Sequence, residues 1–326
     1  MIDPRENPDL FGHETAEQAF AAAIEGGRLH HAWLITGPEG IGKATLAYRF
    51  ARRLLTTQGA PNDPANPTFR RVARATHADL LTIEREFDEK RKRQRTEIVI
   101  EGARDIAGFL RLTSAEGGWR VVVVDGAEHL NRNAANAVLK VLEEPPARAV
   151  LLLTSAAPGR LLPTIRSRCR RLPLRTLGDA DMRQVLLRAL PDQDPGTRAG
   201  LIGLSGGSPG QAVLLAQEGG IAIAELVDEV LQAAPSIAIT RAYEVADRLT
   251  RAETGYTTFM NLLRDRLGTR LREAARGRGD RLTGLRPLVE WGEVWHALGR
   301  LQEETERSNL DKRHAIVAGL DLLNAR

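Results

Sequence analysis

The chain has 326 residues, enough for two or three domains with a sizeable core, and its 42% hydrophobic and 27% charged content excludes wholesale disorder. A formal charge of +4 is a mild bias that permits contact with nucleic acid without demanding it, and 4% aromatics argue against a base-stacking surface. The single cysteine, Cys169, excludes an internal disulfide and a cysteine-rich zinc module.

The opening MIDPRENPDLFGHE holds no apolar run and is not read as a signal peptide. HAWLIT (31–36) reads as a buried strand that runs into the glycine-rich turn GPEGIG (37–42). KATLAYRFARRLL follows, with Leu46, Phe50 and Leu54 on one helical face. Next come two polar stretches, TTQGAPNDPANP (56–67) and EREFDEKRKRQRTE (84–97). In the second, Glu84, Glu86, Asp88 and Glu89 largely cancel the basic run Lys90-Arg91-Lys92-Arg93, which reads as a solvated loop rather than a nucleic-acid patch. WRVVVVD (119–125) and AVLLLT (149–154) are apolar on both faces, as central parallel strands are. NRNAANAVLKVLEEPP between them is helical until Pro145-Pro146 stops it. These apolar runs are too short to span a bilayer, and a cytoplasmic protein is expected.

After about residue 175 the strand signals end. MRQVLLRAL (182–190), RAGLIGLS (198–205) and PGQAVLLAQ (209–217) read as three short helices. Longer amphipathic stretches follow, with one stripe of Phe259, Leu262, Leu263, Leu267 and Leu271 and another of Leu288, Trp291, Trp295 and Leu298. The last, SNLDKRHAIVAGLDLL, is expected to start at a Ser308 or Asn309 cap and to bury Leu310, Ile316, Val317 and Leu320. The expected fold is α/β, a parallel P-loop sheet domain followed by helical parts.

Gly37-Pro38-Glu39-Gly40-Ile41-Gly42-Lys43 fits G-x-x-x-x-G-K between a strand and a helix. Gly37, Gly40 and Gly42 would let backbone N–H groups cradle phosphates, and Lys43 would reach the terminal ones. With 41 arginines and only 5 lysines, a lysine here is not compositional noise. The next residue should be Ser or Thr, whose hydroxyl holds Mg²⁺; it is Ala44, and Thr45 lies roughly 100° further round the helix. Asp125 ends VVVVD as a Walker B aspartate does, although an aspartate at a strand–loop junction can also be a cap. The water-activating Glu expected after it is replaced by Gly126, and Glu128 is expected to point elsewhere. Gly37, Gly40, Gly42, Lys43 and Asp125 therefore describe a degenerate nucleotide site with weak or no ATP binding and little turnover.

The stretch NAANAVLKVLEEPPARAVLLLTSAAPGRLLPTIRSRCRRLPL (133–174), with its LEEPP turn and Ser167-Arg168-Cys169, resembles the clamp-loader branch of the AAA+ superfamily. So do LFGHETAEQAFAAAIEGGRLHHAWLITGPEGIGK (10–43) and SNLDKRHAIVAGLDLL (308–323), and the likeness is greatest to the delta-prime family of the bacterial DNA polymerase III clamp loader. The resemblance implies an AAA+ domain (1–175), a helical lid (176–221) and a helical collar (222–326). It implies a non-motor stator, without significant ATPase or polymerase activity of its own, in a complex that loads the sliding clamp onto primed DNA. The implied partners are motor and delta-type subunits through the collar, the clamp, and primed DNA as part of the complex.

Active members of that branch carry Gly-Ser-x-Arg in the lid; here the stretch is Gly207-Ser208-Pro209-Gly210, without the cation. Thr154 or Ser155 is either a water-holding sensor or a satisfied strand-end hydroxyl. By the resemblance Arg168 acts in trans on a neighbouring subunit's ATP, whereas by composition it is one surface arginine in the run Arg166 to Arg171. Cys169 reads as a small buried hydrophobe. Relatives often carry a four-cysteine zinc module after the first helix; the corresponding 56–79 has none, and His77 alone cannot make a zinc site, so no metal is expected. The alternative to a stator is an active ATPase of a clamp loader or of a repair or helicase complex, using Thr45 and Glu128 as displaced substitutes.

Overall fold

The computed structural model describes residues 3–88, 93–99, 106, 108–251 and 255–324. Most of the basic run expected to be a solvated loop, Lys90-Arg91-Lys92, lies outside the described residues. The chain divides into two compact units, Met1–Asp192 with Ser205–Gln211, and Gln193–Leu204 with Ala212–Arg326.

The first unit is built on a parallel sheet of β1 (Ala32–Thr36), β2 (Leu80–Ile83), β5 (Arg120–Val124), β6 (Ala149–Ser155) and β7 (Arg170–Pro173), in the order β2-β5-β6-β1-β7. A separate two-residue hairpin pairs β3 (Phe87–Asp88) with β4 (Arg93–Gln94). The central strands alternate strictly between two cores. Ala32, Leu34, Val122, Val124, Leu151 and Leu153 pack on α4 (Arg132–Glu143) through Ala134, Val138 and Leu142. Trp33, Ile35, Val121, Val123, Val150 and Leu152 pack on α1 (Glu14–Glu25) and α2 (Lys43–Leu55) through Phe20, Leu46 and Phe50. Burial on both faces is why these strands read as continuous apolar runs. Phe20 stacks on Phe50 at 3.7 Å and meets the edge of Trp33 at 5.0 Å.

The fold class expected from the sequence, a parallel α/β sheet followed by helices, is the one observed. Three elements escaped the pattern. The stretch after 56–67 contains α3 (Pro67–Ala73), capped by the Asn66 side chain accepting from the Thr68 N–H at 2.8 Å, and then β2. β7 is an edge strand that buries only Leu172 of its four residues, so no apolar run marks it.

Further helices among the described residues are α5 (Pro163–Arg168), α6 (Asp179–Ala189), α7 (Pro195–Leu204), α8 (Pro209–Gln217), α9 (Gly220–Ala233), α10 (Ile239–Thr250), α11 (Gly255–Ala275), α12 (Leu288–Ser308) and α13 (Lys312–Asp321). In the second unit α9 packs on α11, α11 on α12, and α10 on α13. Phe259, Leu263, Leu267, Trp291 and Leu298 are buried, as their helical stripes require. Leu288 is 40% exposed, because it opens α12 a turn before the stripe reaches the core. The last helix starts later than expected. Ser308 ends α12 and Asn309 takes the left-handed conformation (φ 50°) that terminates it, while Asp311 caps α13 by accepting from the His314 N–H at 3.0 Å. Leu310 is left exposed between the two helices. Among the described residues no helix is long and apolar enough to cross a membrane.

Candidate nucleotide site

The loop 37–42 joins the C-terminal end of β1 to the N-terminus of α2, the place where a P-loop belongs. Gly37 (φ 151°), Gly40 (φ 74°) and Gly42 (φ 101°) all adopt backbone conformations that favour glycine. At Gly37 a Cβ would also lie 2.7 Å from the Leu174 carbonyl oxygen. Lys43 opens the helix and is 9% exposed.

Each carbonyl of the loop has a donor from within the chain. Lys43 Nζ donates to the Gly37 oxygen at 2.9 Å and to the Pro38 oxygen at 2.7 Å. Ser208 Oγ donates to the Glu39 oxygen at 2.8 Å, and the Gly210 N–H to the Gly40 oxygen at 2.9 Å. His13 Nε2 lies 2.7 Å from the Ile41 oxygen, so that nitrogen carries the proton. Two of the three donors of the ammonium are thus spent on its own loop. Burial lowers the Lys43 pKa, and Glu128, Asp125 and Glu39 oppose that shift.

The geometry of the 207–210 stretch leaves no room for an arginine there. Gly207 (φ 78°) approaches so closely that a Cβ there would lie 2.5 Å from the Leu177 oxygen. A Cβ on Gly210 would lie 2.8 Å from the Cα of Gly40, so the backbones of residues 40 and 210 touch where a longer side chain would have to pass. Gly210→Ala is therefore expected to cost about 1–3 kcal/mol through overpacking, read as a lower urea midpoint. Unchanged stability would show that the loop and the 205–211 stretch do not need this contact.

Asp125 follows β5, and Thr154 Oγ1 donates to its Oδ1 at 2.5 Å while accepting from the Gly126 N–H at 2.9 Å. Thr154, 1% exposed, is thereby tied to the Asp125 junction. Gly126 is left-handed (φ 75°, ψ 51°), and a Cβ there would lie 3.0 Å from the His129 ring, so a glutamate at this position would be strained. Glu128 is held by backbone at the end of the neighbouring strand. Its Oε1 accepts from the Ala156 N–H at 2.7 Å, and it leads the acidic neighbours of Lys43. Burial pushes its carboxyl up, but its own and the Ala156 backbone N–H groups hold it below the usual value. Thr45 is 8% exposed within α2.

Arg168 lies outside this cluster, as the last residue of α5. Its guanidinium is 3.0 Å from Glu143 Oε1 and donates to the Thr164 oxygen at 3.2 Å. Cys169 is 8% exposed in the first core, and burial pushes its thiol up to about 12, which leaves it unreactive. His77 is buried in the turn before β2, its Nδ1 accepting from the Asp79 N–H at 3.2 Å. The contacts of His13 and Ser208 with the loop carry no signal in the sequence, because they join residues 28 and 169 positions apart.

Residues 12–178, just over half of the chain, match the family described as DNA polymerase III, delta subunit. The chain belongs to this family. The likeness to delta-prime proteins expected from the sequence is also found. The DNA polymerase III subunit delta' of Pseudomonas aeruginosa is 41% identical over 196 residues, covering 59% of this chain and 58% of that protein. The subunit tau of Salmonella typhimurium is 31% identical over 192 residues, covering 58% of this chain and 28% of that one. The chain thus spans about three-fifths and just over a quarter of these two relatives. Among solved structures, a DNA polymerase III gamma subunit-related protein from Thermotoga maritima is 18% identical, with a TM-score of 0.48 over 95% of this chain and 98% of that one. The segment common to the family covers the loop, Asp125, Thr154 and Arg168, so all the site residues described above except those of the 207–210 stretch lie inside it.

Proposed function

We propose that this member of the family is a non-motor, stator subunit of a DNA polymerase III clamp loader, supporting placement of the sliding clamp on primed DNA in the cytoplasm. The observation that carries the reading is the loop whose carbonyls are all served from within, with Lys43 held on Gly37 and Pro38. Ala44, Gly126 and Gly210 stand where a metal-binding hydroxyl, a water-activating carboxylate and a phosphate-binding arginine would be needed. The scaffold of a nucleotide machine is kept without the groups that drive it.

In this reading Arg168 acts in trans on nucleotide held by a neighbouring motor subunit. The helices from 222 onward form the collar that holds motor and delta-type subunits, and the clamp and primed DNA are met as part of the assembly. ATP or ADP is bound weakly or not at all, and neither it nor zinc is required. Sequence likeness to the named delta' and tau subunits supports the assembly, and the site geometry supports the passive role.

The purified chain is expected to show no magnesium-dependent ATP hydrolysis and no calorimetric binding of ATP at micromolar concentrations, with Lys43→Ala leaving both unchanged. Mixed with motor subunits, clamp and primed DNA, it is expected to raise clamp loading and ATP turnover. Turnover by the chain alone that disappears in Lys43→Ala would replace the stator with an active ATPase.

A further inference from the structure

The sequence marks Arg168 but says nothing of what holds it. Arg168 is the last residue of α5, Glu143 is the last residue of α4, and their side chains are 37% and 50% exposed. The guanidinium bridges the two helix ends, 3.0 Å from Glu143 Oε1 and 3.2 Å from the Thr164 oxygen. α4 can stop there because Pro145 and Pro146 cannot continue it, and its C-terminal carbonyls add partial negative charge on the same side. An arginine side chain has about 2 kcal/mol of rotamer entropy to lose before it can act at a fixed point. Held by a carboxylate and a carbonyl, this one is already ordered in its own chain while still exposed.

We infer that Glu143 is a positioning residue for Arg168, presenting the guanidinium outward to the charged phosphoryl group of a nucleotide on a neighbouring chain. The inference rests on the reading of Arg168 as trans-acting. Glu143 touches neither nucleotide nor metal in this role; its carboxylate fixes the direction of the guanidinium, and the two helix ends fix the carboxylate.

The test uses the loader reassembled from full-length subunits with clamp and primed DNA, reading kcat and KM for ATP. Glu143→Ala is expected to lower kcat about two- to fivefold with KM unchanged, in the range an exposed ion pair supports. Glu143→Gln, which keeps an oxygen acceptor, should retain most of the rate, and Glu143→Lys, which repels the guanidinium, should lose more than alanine. In an Arg168→Ala background the same substitutions should have no further effect. The unfolding midpoint of each variant chain is expected to match the parent.

A flat series, a higher rate in Glu143→Ala, or a loss of equal size in the Arg168→Ala background would each overturn the positioning role while leaving Arg168 itself in place. A normal rate in Arg168→Ala within an intact assembly would remove the trans-acting reading, and the role of Glu143 with it.

Discussion

On the proposed trans-acting role, Arg168→Ala is expected to leave the chain folded and able to assemble, and to slow ATP hydrolysis by the reassembled complex on the order of 10²-fold or more. A guanidinium supplied across an interface to a transferring phosphoryl group is worth about 10³–10⁵ in rate where it has been isolated. Stability should hardly move, because the side chain is 37% exposed and its partners, Glu143 and the Thr164 carbonyl, can turn to water. Arg168→Lys should recover little, since an ammonium lacks the planar fork that grips phosphate oxygens. Single-turnover hydrolysis by the reassembled loader measures the effect. A parental rate in a complex that contains the variant would eliminate the role.

The second large effect concerns architecture. Arg52 is fully buried in α2, with Nε donating to Asn62 Oδ1 and the two terminal nitrogens to the Arg5 and Asn7 carbonyls, each at 3.0 Å. Its guanidinium also lies 4.6 Å from the centre of the Phe69 ring. One side chain therefore ties the N-terminal stretch, the 56–66 loop and α3 to the helix that follows the P-loop. Burial, with Arg49 nearby, lowers its pKa to about 10, so it remains charged at neutral pH. Arg52→Ala leaves three partly buried acceptors without their donor and opens a cavity beside Phe69. Together these are expected to cost about 3–5 kcal/mol in urea unfolding and to expose the N-terminal residues to protease. Arg52→Lys should cost less than alanine but more than 1 kcal/mol, because a single ammonium cannot reach all three acceptors. Parental stability in Arg52→Ala would show that the three elements are held by other contacts.

Arg52 also shows where the sequence falls silent. It sits among 41 arginines, and nothing local separates it from Arg53, which is exposed and pairs with Glu25. The hydrophobic period placed Arg52 nowhere in particular, because its partners lie 10, 45 and 47 residues away. β7 and β2 were missed for a related reason. An edge strand with one buried residue, and a four-residue strand inside a polar region, present too little apolar pattern to be separated from loop. The shift of the last helix cap from Ser308 or Asn309 to Asp311 is of another kind. Several capping residues stand in a row, and the choice among them depends on where α12 ends.

The amino-acid sequence alone determined the central parallel strands, the loop 37–43 between strand and helix, and the residues at 44 and 126, while the family resemblance singled out Gly210 and Arg168. These are properties of local pattern, since periodicity and residue type act within a few turns of the chain. Tertiary structure decided what those positions do to one another. It set Lys43 on its own carbonyls, brought Ser208 and Gly210 to the loop, fixed Glu128 on the Ala156 N–H, and paired Arg168 with Glu143. Such pairings depend on how distant segments meet, and a hydrogen bond between residues 169 apart leaves no periodic trace in either segment.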